Sequence, residues 1–216
     1  MTAPASDPAR EVLIPSDGVR LAGELVLPSS ATGVVLFAHG SGSSRFSPRN
    51  TQVARTLNQS GIGTLLFALL TGDEDQDYET RFDIGLLTSR LLAATEWIAG
   101  DPACSELDVG YFGASTGAAA AIQAAAACPA IAAVVSRGGR PDLAGVPALE
   151  KIRAPTLLLV GGLDTIVIEL NQRAFAHLAC VKNLVIVPGA SHLFEEPGTL
   201  GDVATHATQW FHRWLA

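Results

Sequence analysis

The chain has 216 residues, 48% of them hydrophobic and 16% charged, with a net charge of −7 and a pI near 5.1. That length and balance fit one globular domain spanning residues 1–216 and exclude a disordered chain. An acidic chain without a basic stripe is a poor partner for nucleic acid or an anionic membrane.

Met1–Arg10 has neither the basic nor the apolar region of a signal peptide. No run of 18 apolar residues occurs, so no transmembrane helix is expected. Cys104, Cys128 and Cys180 form no Cys-x-x-Cys pair and read as reduced thiols in a cytoplasmic protein.

Strand and helix signals then alternate. Glu11–Ile14 and Val19–Leu27 predict two strands joined at the turn Ser16-Asp17-Gly18. Gly33–Ala38 predicts a buried strand. Ser47-Pro48 supplies an N-cap and a first-turn proline for a helix that runs to about Ser60 and ends at Gly61. Thr64–Leu70 is continuously apolar, as a parallel strand covered on both faces should be. An acidic loop, Thr71–Asp77, follows, and Asp83–Ala99 has helical periodicity. Leu107–Phe112 predicts a strand, with an alanine-rich helix to Ala127 after it. Ala130–Ser136, Thr156–Val160 and Asn183–Val187 complete the strands. Helical stretches are expected at Asp142–Lys151, Ile166–Leu178 and Leu200–Leu215. The sum is two antiparallel strands at one edge followed by five or six parallel strands. That is an α/β fold, a doubly wound, mostly parallel sheet with helices on both faces.

Between the Leu107–Phe112 strand and its helix lies Gly113-Ala114-Ser115-Thr116-Gly117. With 21 glycines and 14 serines in 216 residues, Gly-x-Ser-x-Gly arises by chance about 0.13 times, so context must carry the reading. At a strand-to-helix turn the pattern is a nucleophile elbow: the glycines relieve a crowded turn that lifts a strained serine above the sheet. Two further side chains lie past the carboxyl ends of strands. Asp164 follows Thr156–Val160, and His192 follows Asn183–Val187. The order Ser, Asp, His suits this fold. A serine hydroxyl needs a base, which His192 supplies, and Asp164 orients the imidazole and stabilises its charged form. Activity is then expected to fall as His192 takes up a proton.

His39-Gly40-Ser41-Gly42-Ser43-Ser44 follows the Gly33–Ala38 strand. A glycine-rich turn there can offer a backbone N–H to a developing oxyanion, with Ser41 and Thr116 as the expected donors. His39 is expected to brace this loop by hydrogen bonds. It lacks both Gly-Lys-Ser/Thr and Gly-x-Gly-x-x-Gly, which speaks against a phosphate loop.

These residues resemble the α/β-hydrolase superfamily and, within it, the small, lidless dienelactone-hydrolase-like group. The resemblance covers nearly the whole chain, through the His39-Gly40 loop, the Gly113–Gly117 elbow, the Gly161–Asp164 loop and the Gly189–His192 loop. It implies an α/β-hydrolase fold. Dienelactone hydrolases proper use a cysteine nucleophile. Ser115 departs from them and points to a more general carboxylesterase. Only Arg137–Pro155 separate two strands where the superfamily inserts its lid, so no lid domain and an open site are expected.

Candidate substrate-binding residues are Phe46, Leu70, Tyr78, Arg137 and Phe194, with Phe82 and Leu193 beside them. Arg137 can fork onto a substrate carboxylate, whereas an acidic loop at the mouth would repel such a substrate. The expected partner is a small ester or lactone. No cofactor and no metal are expected: there is no His-Glu-x-x-His and no ligand-spaced cysteine pair. A thioesterase, an amidase, an acyltransferase and a non-catalytic binding protein share the fold and remain open. Oligomeric state is not assigned.

Overall fold

The protein is described from a computed structural model covering residues 9–215. The signal-peptide reading falls largely on residues 1–8, outside the described residues. The strands are β1 (Arg10–Ser16), β2 (Val19–Val26), β3 (Gly33–Ala38), β4 (Gly63–Phe67), β5 (Asp108–Ala114), β6 (Ile131–Arg137), β7 (Thr156–Gly161) and β8 (Lys182–Val187). The helices are α1 (Pro48–Gln59), α2 (Ile84–Gly100), α3 (Thr116–Ala127), α4 (Val146–Lys151), α5 (Thr165–His177) and α6 (Thr199–Trp214).

The strands form one eight-stranded sheet in the order β1-β2-β4-β3-β5-β6-β7-β8. β2 is antiparallel to both β1 and β4, and the other adjacent pairs are parallel. Every residue of β3, β4 and β7 is buried, because helices cover both faces there. β1 instead alternates, with Val12, Ile14 and Ser16 inward. One apolar core packs α2, α3, α4 and α5 against the sheet. A second, on the opposite face, packs α1 and α6. Ala118–Ile122 of α3 are fully buried, and their small side chains let this helix lie close to the strands.

Local signals work as expected at the starts of α1 and α2. The Ser47 hydroxyl accepts the Asn50 N–H at 3.4 Å, and Asp83 Oδ1 accepts that of Leu86 at 2.9 Å. β4 is shorter than its apolar run. It stops at Phe67, and the Leu69 N–H donates to the side chain of His39 rather than to a neighbouring strand. The predicted helix Asp142–Lys151 splits into a 3₁₀ turn, Pro141–Ala144, and α4, parted by Gly145 at φ 80°. These short pieces fill the link from β6 to β7, and no lid domain is inserted there. No helix among the described residues is long and apolar enough to cross a membrane. The described residues hold three free cysteines; burial raises the Cys104 thiol to about 11.

Candidate active site

Ser115 joins β5 to α3 with φ 50° and ψ −122°, a conformation rare for a residue with a side chain. The flanking glycines make this turn feasible. A Cβ at Gly117 would collide with the Ala38 carbonyl, and one at Gly113 would collide with Ala118 and Gly117. The turn is pinned from the next strand: the Ser115 N–H donates to Arg137 O at 3.3 Å, and the Arg140 N–H donates to Ser115 O at 3.1 Å. The Asn171 side-chain amide holds Gly139 O at 2.9 Å, tying the same loop to α5.

Asp164 occupies the position before α5 but its carboxylate does not cap that helix. Asp164 Oδ2 meets His192 Nδ1 at 2.6 Å instead. A short contact of this kind fits a charge-assisted hydrogen bond and directs the imidazole proton to Nδ1. The two loops are also stitched through their backbones. Gly162 N–H donates to Val187 O at 2.8 Å and Leu163 N–H to Ala190 O at 2.9 Å. Asp164 is largely covered, while the His192 side chain is 41% exposed, so the ring is gripped on one edge and open on the other.

Ser115 and His192 approach the same step of chain. Arg137 accepts the Ser115 N–H, and a Cβ on its neighbour Gly138 would lie 3.1 Å from His192 O and 3.6 Å from His192 Cε1. Among the described residues no hydrogen bond joins the Ser115 hydroxyl to His192 Nε2, which keeps its capacity to accept. Without substrate such bonds are often long.

Glu196, a carboxylate in the loop of His192, has a bracing role the sequence does not announce: it accepts the Ser191 N–H at 3.0 Å and is held below the usual carboxylate range by that bond. This braces the turn carrying His192. Its signal was a carboxylate five residues past Ser191, which is weak without coordinates.

At the expected oxyanion loop, Gly40 lies directly over Ser115: a Cβ there would be 2.9 Å from Ser115 Cβ. His39 is the brace that the sequence suggested. Its Nε2 accepts the Leu69 N–H at 3.0 Å and its Nδ1 faces Gly40 O at 3.1 Å, the pattern of a neutral ring protonated on Nδ1. Burial lowers its pKa. Thr116 opens α3, with its N–H at the helix start. The Ser41 N–H differs from expectation, because it is already engaged at 2.9 Å by the Thr116 hydroxyl oxygen.

The expected substrate-binding residues separate. Phe46 and Tyr78 are exposed, the latter stacked on Phe82 at 5.0 Å. Leu70 and Phe194 are core residues instead of open pocket walls. Leu70 packs with the α2–α3 core. Phe194 turns inward at φ 56°. Arg137 is buried, lies 5.9 Å from the Phe112 ring, and has Nη1 sealed from solvent with no partner among the described residues. Desolvation, then nearby Arg49, lower its pKa to about 10. Nη1 is therefore turned into the protein, and the two arms of the fork are not both spread across an open cleft. The acidic loop is paired locally: Glu74 with Arg90 at 2.8 Å and Asp75 with Arg81 at 3.1 Å. Its charge is less available to repel a substrate than the sequence implied.

The model of the dienelactone hydrolase family matches residues 21–215. The chain belongs to this family. A dienelactone hydrolase from Anabaena variabilis is 55% identical, with a TM-score of 0.94 over 98% of this chain and 100% of that one. A Mycobacterium tuberculosis H37Rv protein, provisionally named a phosphoribosyl transferase, is 54% identical over 211 residues, covering 96% of this chain and 47% of its own length. This chain thus spans about half the length of that curated relative. Est1E from Butyrivibrio proteoclasticus, 18% identical with a TM-score of 0.79 over 94% of this chain and 98% of that one, shares the fold. The chain shares the α/β-hydrolase fold of these structures.

Proposed function

We propose that this member of the dienelactone hydrolase family is a serine hydrolase that cleaves small carboxylic esters or lactones through an acyl-enzyme on Ser115. The observation that carries the reading is the 2.6 Å contact of Asp164 with His192. It leaves Nε2 as the basic nitrogen, on a ring bordering the strained Ser115 turn. In the first step the Ser115 oxygen bonds to the carbonyl carbon, and its proton passes to His192 Nε2. His192 then gives that proton to the departing alcohol, and a water repeats the cycle to free the acid. The β6–β7 link, filled by a short 3₁₀ turn and α4 with no lid domain, favours small, water-soluble substrates over lipid droplets.

The transferase name belongs to a protein of twice this length, and the shared half is the one matched by the hydrolase family. The reading here therefore follows the hydrolase. The site lies on a chain for which a cytoplasmic location is proposed, and no cofactor enters the scheme.

The test is hydrolysis of p-nitrophenyl esters across acyl lengths, with Ser115→Ala alongside and with fluorophosphonate labelling of both proteins. The expected result is activity highest on short acyl chains and a fall of about 10⁴-fold or more in the variant. Labelling should vanish with it. Labelling without ester turnover would move the substrate to a thioester, an amide or another acyl acceptor. No labelling and no turnover would leave a binding protein built on a hydrolase fold.

A further inference from the structure

We propose that the Thr116 hydroxyl, and not the Ser41 N–H, is the second donor to the oxyanion. The proposal rests on the acyl-transfer reading above. The Ser41 N–H is spent at 2.9 Å on Thr116 Oγ1. Thr116 is 3% exposed and Ser41 half-buried, so the bond lies at the border between the protein interior and the site. A hydroxyl oxygen that accepts an N–H keeps its own proton to donate. No acceptor for that proton is found among the described residues. The threonine follows the nucleophile directly. The Gly40–Ser41 step that it holds passes over Ser115: a Cβ built on Gly40 would lie 3.6 Å from the Ser115 hydroxyl oxygen.

Attack creates the missing acceptor. The Ser115 oxygen–carbon bond forms, the serine proton moves to His192 Nε2, and the carbonyl π pair settles on oxygen as a negative charge. That oxygen can then take the Thr116 N–H and the Thr116 O–H together. The Ser41 N–H remains bonded to Oγ1 and polarises it, so the three groups form a chain in which each bond strengthens the next. Using the Ser41 N–H directly would require breaking this bond and leaving Oγ1 of a buried threonine without its donor. One residue thereby supplies both hydrogen bonds, and Ser41 works through it.

The two possibilities have opposite signs in one variant. Thr116→Val keeps the shape and removes the hydroxyl. If the hydroxyl donates, kcat falls by about 10²–10³-fold with KM little changed, the usual effect of losing an oxyanion donor. The rate of fluorophosphonate labelling at Ser115 falls in parallel, because its product carries a similarly placed oxygen. Thr116→Ser should recover most of both rates. If the hydroxyl merely occupies the Ser41 N–H, Thr116→Val frees that N–H, and activity equal to or above the parent overturns the proposal. It is equally overturned if Thr116→Ser loses as much as Thr116→Val, which would assign the role to the methyl group. Thr116→Ala serves as the hydroxyl-free variant if valine prevents folding, checked by urea denaturation. A parent protein that neither hydrolyses esters nor labels at Ser115 overturns the reading beneath, and this inference with it.

Discussion

At the scale of single residues, the decisive contrast is between Asp164 as a cap and Asp164 as a partner of His192. Its position before α5 suits either role, and the side chain bonds only the imidazole. This separates catalysis from stability. Asp164→Asn keeps the shape but removes the charge and favours the wrong tautomer, so kcat is expected to fall on the order of 10⁴-fold, as in other Ser-His-Asp sites. Loss of a working cap would cost about 1 kcal/mol. No cap bond is present, so the urea midpoint of Asp164→Asn should stay close to the parent's. Steady-state kinetics and denaturation of one preparation check both halves. A large stability loss with intact kcat would return Asp164 to a purely structural role. Arg137 makes a related point. The sequence shows an arginine at a strand end, but only coordinates reveal that its Nη1 is sealed without a partner among the described residues while its backbone carbonyl anchors Ser115.

Among the elements, what the sequence made legible was set by short-range chemistry. β3 runs from Gly33 to Ala38 as its apolar stretch predicts, and Ser47-Pro48 begins α1 by the expected cap. The elbow, the Asp164 loop and the His192 loop were readable because each follows a strand end. The end of β4 was not, because it depends on His39, 30 positions away from Leu69 in the chain. The inward turn of Phe194 and the bond from Ser41 to Thr116 were hidden for the same reason: each is decided by a distant contact and not by neighbours in sequence. α3 shows how packing shapes composition. Its alanines lie flat against the sheet directly behind the nucleophile, and Ala120 is fully buried. Ala120→Leu must displace that helix or its neighbours, an overpacking cost of about 1–3 kcal/mol. Urea denaturation should show this loss. A tilt of α3 would also move Thr116, so kcat should fall further than KM rises. Unchanged stability would mean that a void accepts the larger side chain.

At the scale of the whole molecule, the candidate site lies past the carboxyl ends of β5, β7 and β8, which carry Ser115, Asp164 and His192, while β3 delivers the Gly40–Ser41 loop. His39 joins that loop to the chain leaving β4, through a ring that burial keeps neutral. Its pKa is lowered from 6.5, with desolvation as the main cause. In the unfolded chain His39 therefore binds a proton at a higher pH than in the folded protein. Between 6.5 and the lower folded value, the unfolded state holds more protons, and stability must rise with pH across that window. Acidification below 6.5 thus erodes what His39 contributes, and below the folded pKa the loss is complete. His39→Gln retains an acceptor for the Leu69 N–H but cannot titrate. Urea midpoints measured from pH 5 to pH 7.5 should show the parent more stable at the upper end, with its advantage over His39→Gln shrinking as pH falls through 6.5. Subtracting the variant removes the contribution of the other histidines. A difference that stays constant with pH would show that His39 has the same pKa folded and unfolded. The link from β3 to β4 would then rest on packing rather than on a neutral ring.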